Sequence, residues 1–255
     1  MEAADKKHVR AKQWSPEGTE ELKQRLRAYE AQQLSSLVQK TPNPDSAGLE
    51  EEKKPSKKAS VLVLLFQGPQ NELRVLLTER SKGLSSHGGE VALPGGKQDE
   101  SDADEVAAAL REAKEEVGLD PTNVEVLTTF EPFLSKHLLL VTPVIGSPID
   151  PESFKRTPNS GEVETIFDAP LEMFLEEEGH RHKDIEMVNF PFRLHYFDYT
   201  DGTRQYNIWG LTASILIRIA STVFNREPAF EEFHPTLPSY REILVEMLKR
   251  NLFVL

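Results

Sequence analysis

The chain has 255 residues, 42 acidic against 30 basic, a formal net charge of −12 and no cysteine. The missing cysteines exclude disulfides, thiolate zinc sites and a cysteine nucleophile, and the acidic balance argues against duplex nucleic acid or an anionic membrane surface as partner. A polyanionic substrate would need a metal ion or a local basic patch beside it.

Residues 17–39 place Leu22, Leu26, Tyr29 and Leu34 near helical spacing, which predicts an amphipathic helix. Residues 39–58 are rich in proline, serine and charge and read as a linker. The expected organisation is therefore a helix plus flexible linker over 1–58 and a folded domain over 59–255. In that domain "SVLVLLF" and "LRVLLTERS", separated by the turn "GPQNE", predict a hairpin. A Gly-Gly loop and an acidic helix follow, then strands in "VEVLTTFEPFL" and "HLLLVTPVIG" and a short helix in "PLEMFLEEEGH". "MVNFPFRLHYFDY" and "RQYNIWG" flank Asp201-Gly202, a strong hairpin signal. "LTASILIRIASTVF" predicts a buried helix and "PSYREILVEMLKRN" an amphipathic one. Strands mixed with helices, ending in helices, indicate an α/β or α+β sandwich. No apolar run reaches the roughly 18 residues of a membrane span. The N-terminal "MEAADKKHVRAKQW" has no apolar signal core. The expected location is cytoplasmic, with an organellar one left open.

The acidic helix lies in "LPGGKQDESDADEVAAALREAKEEVGL", Leu93 to Leu119. Asp102 is the expected N-cap, with Glu105 at capping-box spacing and Gly118 at the C-terminal end, which predicts a helix over about 103–117. At about 100° per residue, with Glu112 at zero, Glu115 falls near −60°, Glu116 near +40° and Glu105 near +20°. Val106, Leu110, Ala113 and Val117 fall on the opposite face, between about 100° and 160°. Such an acid cluster repels itself, by roughly 0.2–0.5 kcal/mol per pair. A divalent cation, Mg²⁺ or Mn²⁺, would reverse that, because both take hard oxygen ligands. Glu112, Glu115 and Glu116 can converge on such an ion, with Arg111 orienting them. Pro94-Gly95-Gly96 just upstream lets backbone approach a metal or phosphate with no Cβ in the way.

These residues resemble the Nudix box, G-x5-E-x7-R-E-U-x-E-E-x-G-U with U a bulky aliphatic. "REAKEEVGL" supplies Arg111, Glu112, Glu115, Glu116, Gly118 and Leu119, and Gly96 opens the segment. The interval from Gly96 to Arg111 is one residue longer than the strict spacing. Ala113 replaces the aliphatic, and Asp102 stands at the first acidic position counted from Gly96. The preceding "LLTERSKGLSSHGGEVALPGG" is similar to a signature of coenzyme A-hydrolysing Nudix enzymes. Ser85 and Leu93 stand where that signature has Arg and Phe. "NIWGLTASIL" is similar to those enzymes' C-terminal segment, so the resemblance covers about 60–225.

The resemblance implies a Nudix fold, with a mixed β-sheet sandwiched between helices and a catalytic loop–helix–loop. It implies hydrolysis of the coenzyme A pyrophosphate, or that of its acyl derivatives, to 3′,5′-ADP and 4′-phosphopantetheine. The metal set would be Gly96 through its carbonyl, Glu112, Glu115 and Glu116. Glu112, Glu115, Arg111 and Glu164 would form the catalytic set, with the general base open between Glu112 and the outlying Glu162 and Glu164. Arg80, Ser81, His87 and Gly89 would meet the substrate. Trp209 and the aromatics of 190–199 are expected in the core. The partner is a small nucleotide substrate, with no nucleic acid or membrane, and a homodimer is allowed for. Two alternatives stand beside this reading: hydrolysis of ADP-ribose or NADH, and a nucleotide-binding module without turnover.

Overall fold

Strand β1 (Lys58–Gln67) alternates its apolar side chains between two cores, and the rest of the molecule is built on its two faces. The structure, a computed structural model of the chain, describes residues 20, 22–26, 28, 58–135, 137, 139–150, 154–187 and 190–236. The linker expected over 39–57 and the amphipathic helix expected over 238–251 lie outside the described residues.

β1 pairs antiparallel with β2 (Leu73–Arg80) along its second half, from Leu65↔Val75 to Gln67↔Leu73. The same edge pairs along its first half with β4 (Gly95–Lys97), where Gly96 faces Ser60. The other edge runs parallel to β7 (Leu140–Pro148), so the sheet is mixed. The strand order is β3-β2-β1-β7-β5, with β3 at Val91–Ala92 and β5 at Val124–Thr129. In addition β6 (Phe133–Leu134) pairs with β7, and β8 (Val163–Pro170) with β2.

Leu62 and Leu64 of β1 and Leu76 of β2 pack with Ala109, Ala113 and Val117 of helix α1 (Glu105–Val117). Val63, Leu65, Val75 and Leu77 face the other way, into the core of helix α2 (Gly210–Phe224) with Ile215, Leu216 and Ile219. The period-two alternation of a strand thus places one helix on each face. A second, antiparallel sheet of β9 (His180–Met187), β10 (Phe190–Thr200) and β11 (Gln205–Trp209) contributes Phe197, Tyr206 and Ile208 to the α2 core. Leu22 and Leu26, in the helical residues 22–26, are buried in that same core. Arg25 Nη1 donates to the carbonyl of Val223 at 2.8 Å.

Four strands are absent from the sequence reading, of which β3 and β4 lie on either side of Pro94 where a loop is expected. β8 lies in a stretch with no clean apolar run, and β9 reads HRHKDIEM, with polar residues at nearly every position. The expected short helix is a single 3₁₀ turn over Leu171–Leu175. Trp209 is half-buried rather than in the core, and stacks on Tyr196 at 5.8 Å between ring centroids. No helix among the described residues is long and apolar enough to cross a membrane.

Candidate active site

Helix α1 begins later than the spacing predicts. Its N-cap is Asp104, whose carboxylate accepts the Ala107 N–H at 2.8 Å, while Asp102 is left for another partner. That partner is Arg111, one of the box residues. Its Nε and Nη2 donate to the two oxygens of Asp102, each at 2.9 Å, and the Asp102 side chain is 4% exposed. The fork holds the Asp102 carboxyl below the usual range. Arg111 also donates to Glu112 at 2.9 Å, to the Lys97 carbonyl at 3.1 Å and to Glu115 at 3.5 Å. One guanidinium therefore fixes the helix start, the β4 exit and the carboxylates. Sequence reasoning missed the Asp102 contact, which the insertion in the box conceals.

The acids do not share one wet face. Glu115 points to solvent, Glu112 is half-buried, and Glu116 is 3% exposed. Glu116 lies at the border of the apolar face, and β4 draws it inward: the Gly95 N–H donates to its Oε2 at 3.1 Å. Burial pushes its carboxyl up to about 7, against the Gly95 hydrogen bond and the Arg80 charge and with Glu112 and Glu162 adding to the rise. Burial also raises Glu112, opposed by Arg111 and reinforced by Glu115 and Glu162. The strand beneath must be glycine. A Cβ on Gly96 would stand 2.5 Å from the Glu112 carboxyl carbon, and one on Gly95 would stand 2.6 Å from Val61 Cα.

Glu162 reaches the cluster through backbone. Thr157 N–H and Asn159 N–H donate to the Val117 and Glu116 carbonyls, each at 3.0 Å, which satisfies the open end of α1. Asn159 then accepts from Glu162 N–H, and the Glu162 carbonyl accepts from Ser81 N–H at 2.8 Å. Glu164 stands apart. The β2–β8 register slips between Glu79 and Arg80, whose partners are Thr165 and Val163, so Glu164 is the unpaired, exposed residue of a bulge.

Arg80 ends β2 beside that bulge, with Nη1 3.5 Å from Glu116 Oε1. The loop it opens closes on itself through Gly89 N–H to the Arg80 carbonyl at 2.9 Å. His87 in that loop is exposed, left-handed at φ 57°, bonded through Nδ1 to Glu90 at 2.8 Å and edge-on to His137. The structure thus gathers Arg80, Gly96, Arg111, Glu112 and Glu116 with Glu162, keeps Glu115 at the rim, and leaves Glu164 outside. Glu79, next to Arg80, is engaged elsewhere, with Arg204 at 2.7 Å.

Among the described residues no three acidic or histidine side chains already stand close enough to enclose a metal ion. The donors nevertheless fit a hard divalent cation. Mg²⁺ is commonly held by one or two carboxylates, with waters and substrate phosphates completing the shell. Glu112 and Glu116 are two such groups, each withdrawn from water and each within reach of an arginine, Arg111 at 2.9 Å and Arg80 at 3.5 Å.

Comparison with known proteins gives one family match and three similar relatives. A family model described as the NUDIX domain matches residues 56–189. "Nudix hydrolase 15, mitochondrial" of Arabidopsis thaliana is 56% identical over 179 residues, 70% of this chain and 63% of that protein. "Nudix hydrolase 22, chloroplastic" of the same plant is 52% identical over 181 residues, 71% of this chain and 60% of that one. "Peroxisomal coenzyme A diphosphatase NUDT7" of Mus musculus is 40% identical over 190 residues, 72% of this chain and 79% of the mouse protein. The chain spans less than two thirds of the length of either plant relative.

Proposed function

Because the chain belongs to the Nudix hydrolase family, we propose that it hydrolyses the diphosphate bond of coenzyme A or its acyl derivatives, giving 3′,5′-ADP and 4′-phosphopantetheine or its acyl form. One observation carries the reading. Two partly or wholly buried carboxylates, Glu112 and Glu116, are pressed onto a glycine strand, with Glu162 bearing on both and Arg111 and Arg80 on their flanks. The choice of coenzyme A is supported by the 76–96 stretch and by likeness to a mouse protein named as a coenzyme A diphosphatase.

In this reading Glu112, Glu116, Glu115 and the Gly96 carbonyl hold Mg²⁺ or Mn²⁺, which when bound lowers the pKa of water and offsets phosphate charge. Arg111 is the positioning residue: it locks Glu112 against Gly96 and leaves Glu116 to the Gly95 N–H. Glu162, rather than Glu164, is the second acid, placed to take a proton from the attacking water while Glu112 is tied to Arg111. Arg80, Ser81, His87 and Gly89 lie on the strand end and loop that meet the substrate, with Arg80 supplying a planar fork for phosphate oxygens. The names of the three relatives carry three different organelles, so the reading extends to organelles as well as the cytosol.

The test is product analysis with coenzyme A, ADP-ribose and NADH at millimolar Mg²⁺ or Mn²⁺. Release of 3′,5′-ADP from coenzyme A is expected, with turnover lowered on the order of 10²–10³-fold in Glu116→Gln. AMP and ribose 5-phosphate from ADP-ribose, with coenzyme A untouched, would move the assignment to another dinucleotide. Tight binding without product would make the chain a nucleotide-binding module.

A further inference from the structure

We infer that Arg80 is a stand-in for the divalent cation, neutralising Glu116 while the acids are metal-free and passing to the substrate's phosphates once a cation arrives. The inference rests on the cation site proposed above.

Two arginines serve the cluster, and they are held very differently. Arg111 uses Nε, Nη1 and Nη2, and its partners are Asp102, Glu112, Glu115 and the Lys97 carbonyl. It is built in. Arg80 makes one long contact, 3.5 Å from Nη1 to Glu116, beyond the 2.7–2.9 Å range of a strong charge-assisted hydrogen bond. Its Nε is buried and has no hydrogen-bond partner among the described residues. A guanidinium that ends β2 with a buried donor unpaired is held by charge rather than by geometry.

The main chain around Arg80 is firmly fixed. Its N–H donates to the Glu90 carbonyl at 3.0 Å and its carbonyl accepts from Gly89. The β2–β8 pairing is interrupted immediately before it by the bulge and resumes at Arg80↔Val163. The anchor is rigid and only the tip is uncommitted. That tip lies against a Glu116 oxygen, and Glu116 in turn faces Glu112 and Glu162. A divalent cation drawn to these acids competes with the guanidinium for the same oxygen, because the two positive charges repel each other there. Once displaced, the fork keeps its charge and its donors, and an arriving diphosphate offers oxygens to match them.

The test is direct Mn²⁺ binding to the full chain without substrate, by calorimetry or by electron paramagnetic resonance of free Mn²⁺. Arg80→Ala and Arg80→Gln should each bind Mn²⁺ about tenfold more tightly than the parent, a coupling of ordinary size between neighbouring groups. Arg80→Lys, which keeps the charge, should stay within about twofold of the parent. In the neutral variants KM for the nucleotide should rise as Mn²⁺ affinity improves, a divergence that a merely structural role would not produce. Unchanged or weaker Mn²⁺ binding in both neutral variants overturns the inference, as does equal tightening in Arg80→Lys. Glu116→Gln separates the two layers: if it binds Mn²⁺ like the parent, the cation site itself is misplaced.

Discussion

Glu116 carries a charge into a place that resists it. Its carboxylate is raised to about 7 by burial, so metal-free protein near pH 8 holds an ionised group that would be more comfortable in water. Replacing it with the neutral, isosteric glutamine keeps an acceptor for the Gly95 N–H and removes the buried charge. Glu116→Gln should therefore stabilise the metal-free chain at pH 8, by about 1–3 kcal/mol in denaturant unfolding, even as it removes turnover. A loss of stability would show that the Arg80 pairing outweighs desolvation. At this scale the sequence was legible where chemistry repeats at short range. Arg111, Glu112, Glu115 and Glu116 stand on one helix, and helical spacing alone brings them near each other. It was not legible where a contact crosses the chain. Asp102 looked like a cap because caps are local, and its pairing with Arg111 depends on how the loop after β4 folds back. Glu162 and Glu164 are two residues apart, one in the turn before β8 and one in its bulge, and only the bulge and the backbone bonds of Asn159 distinguish them.

β9 and β10 show how an element can be hidden by its own polarity. The alternation that marks a half-buried strand is missing from β9, because His180 rather than an aliphatic is its partly buried residue and positions 181–184 are exposed. His180 Nε2 lies 2.9 Å from His195 Nδ1, and His195 Nε2 lies 2.8 Å from the Glu232 carbonyl. A carbonyl can only accept, so His195 carries its proton on Nε2 and receives the His180 N–H on Nδ1. Phe230 stacks on His180 at 3.7 Å between centroids, and Arg193 pairs with Glu231 and Asp184, so the segment after α2 is fastened to this face. Burial lowers both rings to about 4, with the neighbouring His182 and Arg193 charges assisting and Asp184 opposing at His195. In the unfolded chain the same rings titrate near 6.5. Between those values the unfolded state binds more protons, so stability present above pH 6.5 is lost as pH falls toward 4. A melting series should show Tm dropping through that window, and His195→Asn should flatten the drop. For His195, nearly enclosed, the loss reaches up to about 3 kcal/mol. A Tm independent of pH between 7 and 5 would contradict the relay.

For the molecule as a whole, the N-terminal helix belongs to the same core as the sheet. Leu26 has no exposed surface, and Leu22 and Leu26 lie against the residues that pack β1 and α2. Leu26→Ala should therefore lower stability by about 2–5 kcal/mol in chemical unfolding, the range for a buried leucine, and a shift below ~1 kcal/mol would place the helix outside the cooperative unit. The helical spacing of Leu22, Leu26, Tyr29 and Leu34 was visible in the sequence, but a proline- and charge-rich stretch set them apart from the folded domain. Which face of the sheet they would cover depends on contacts more than a hundred residues distant, such as Arg25 to Val223. The stretch from Thr157 to Glu162 has a corollary for how such a molecule can diversify. Its amides close the end of α1, and its last carbonyl clasps Ser81, so its length is measured against two fixed posts. One inserted residue would leave helix carbonyls without donors or swing the second acid away from its partners. New substrate preferences must then arise in stretches moored at one end only, and this short tether should drift in residue identity while keeping its count.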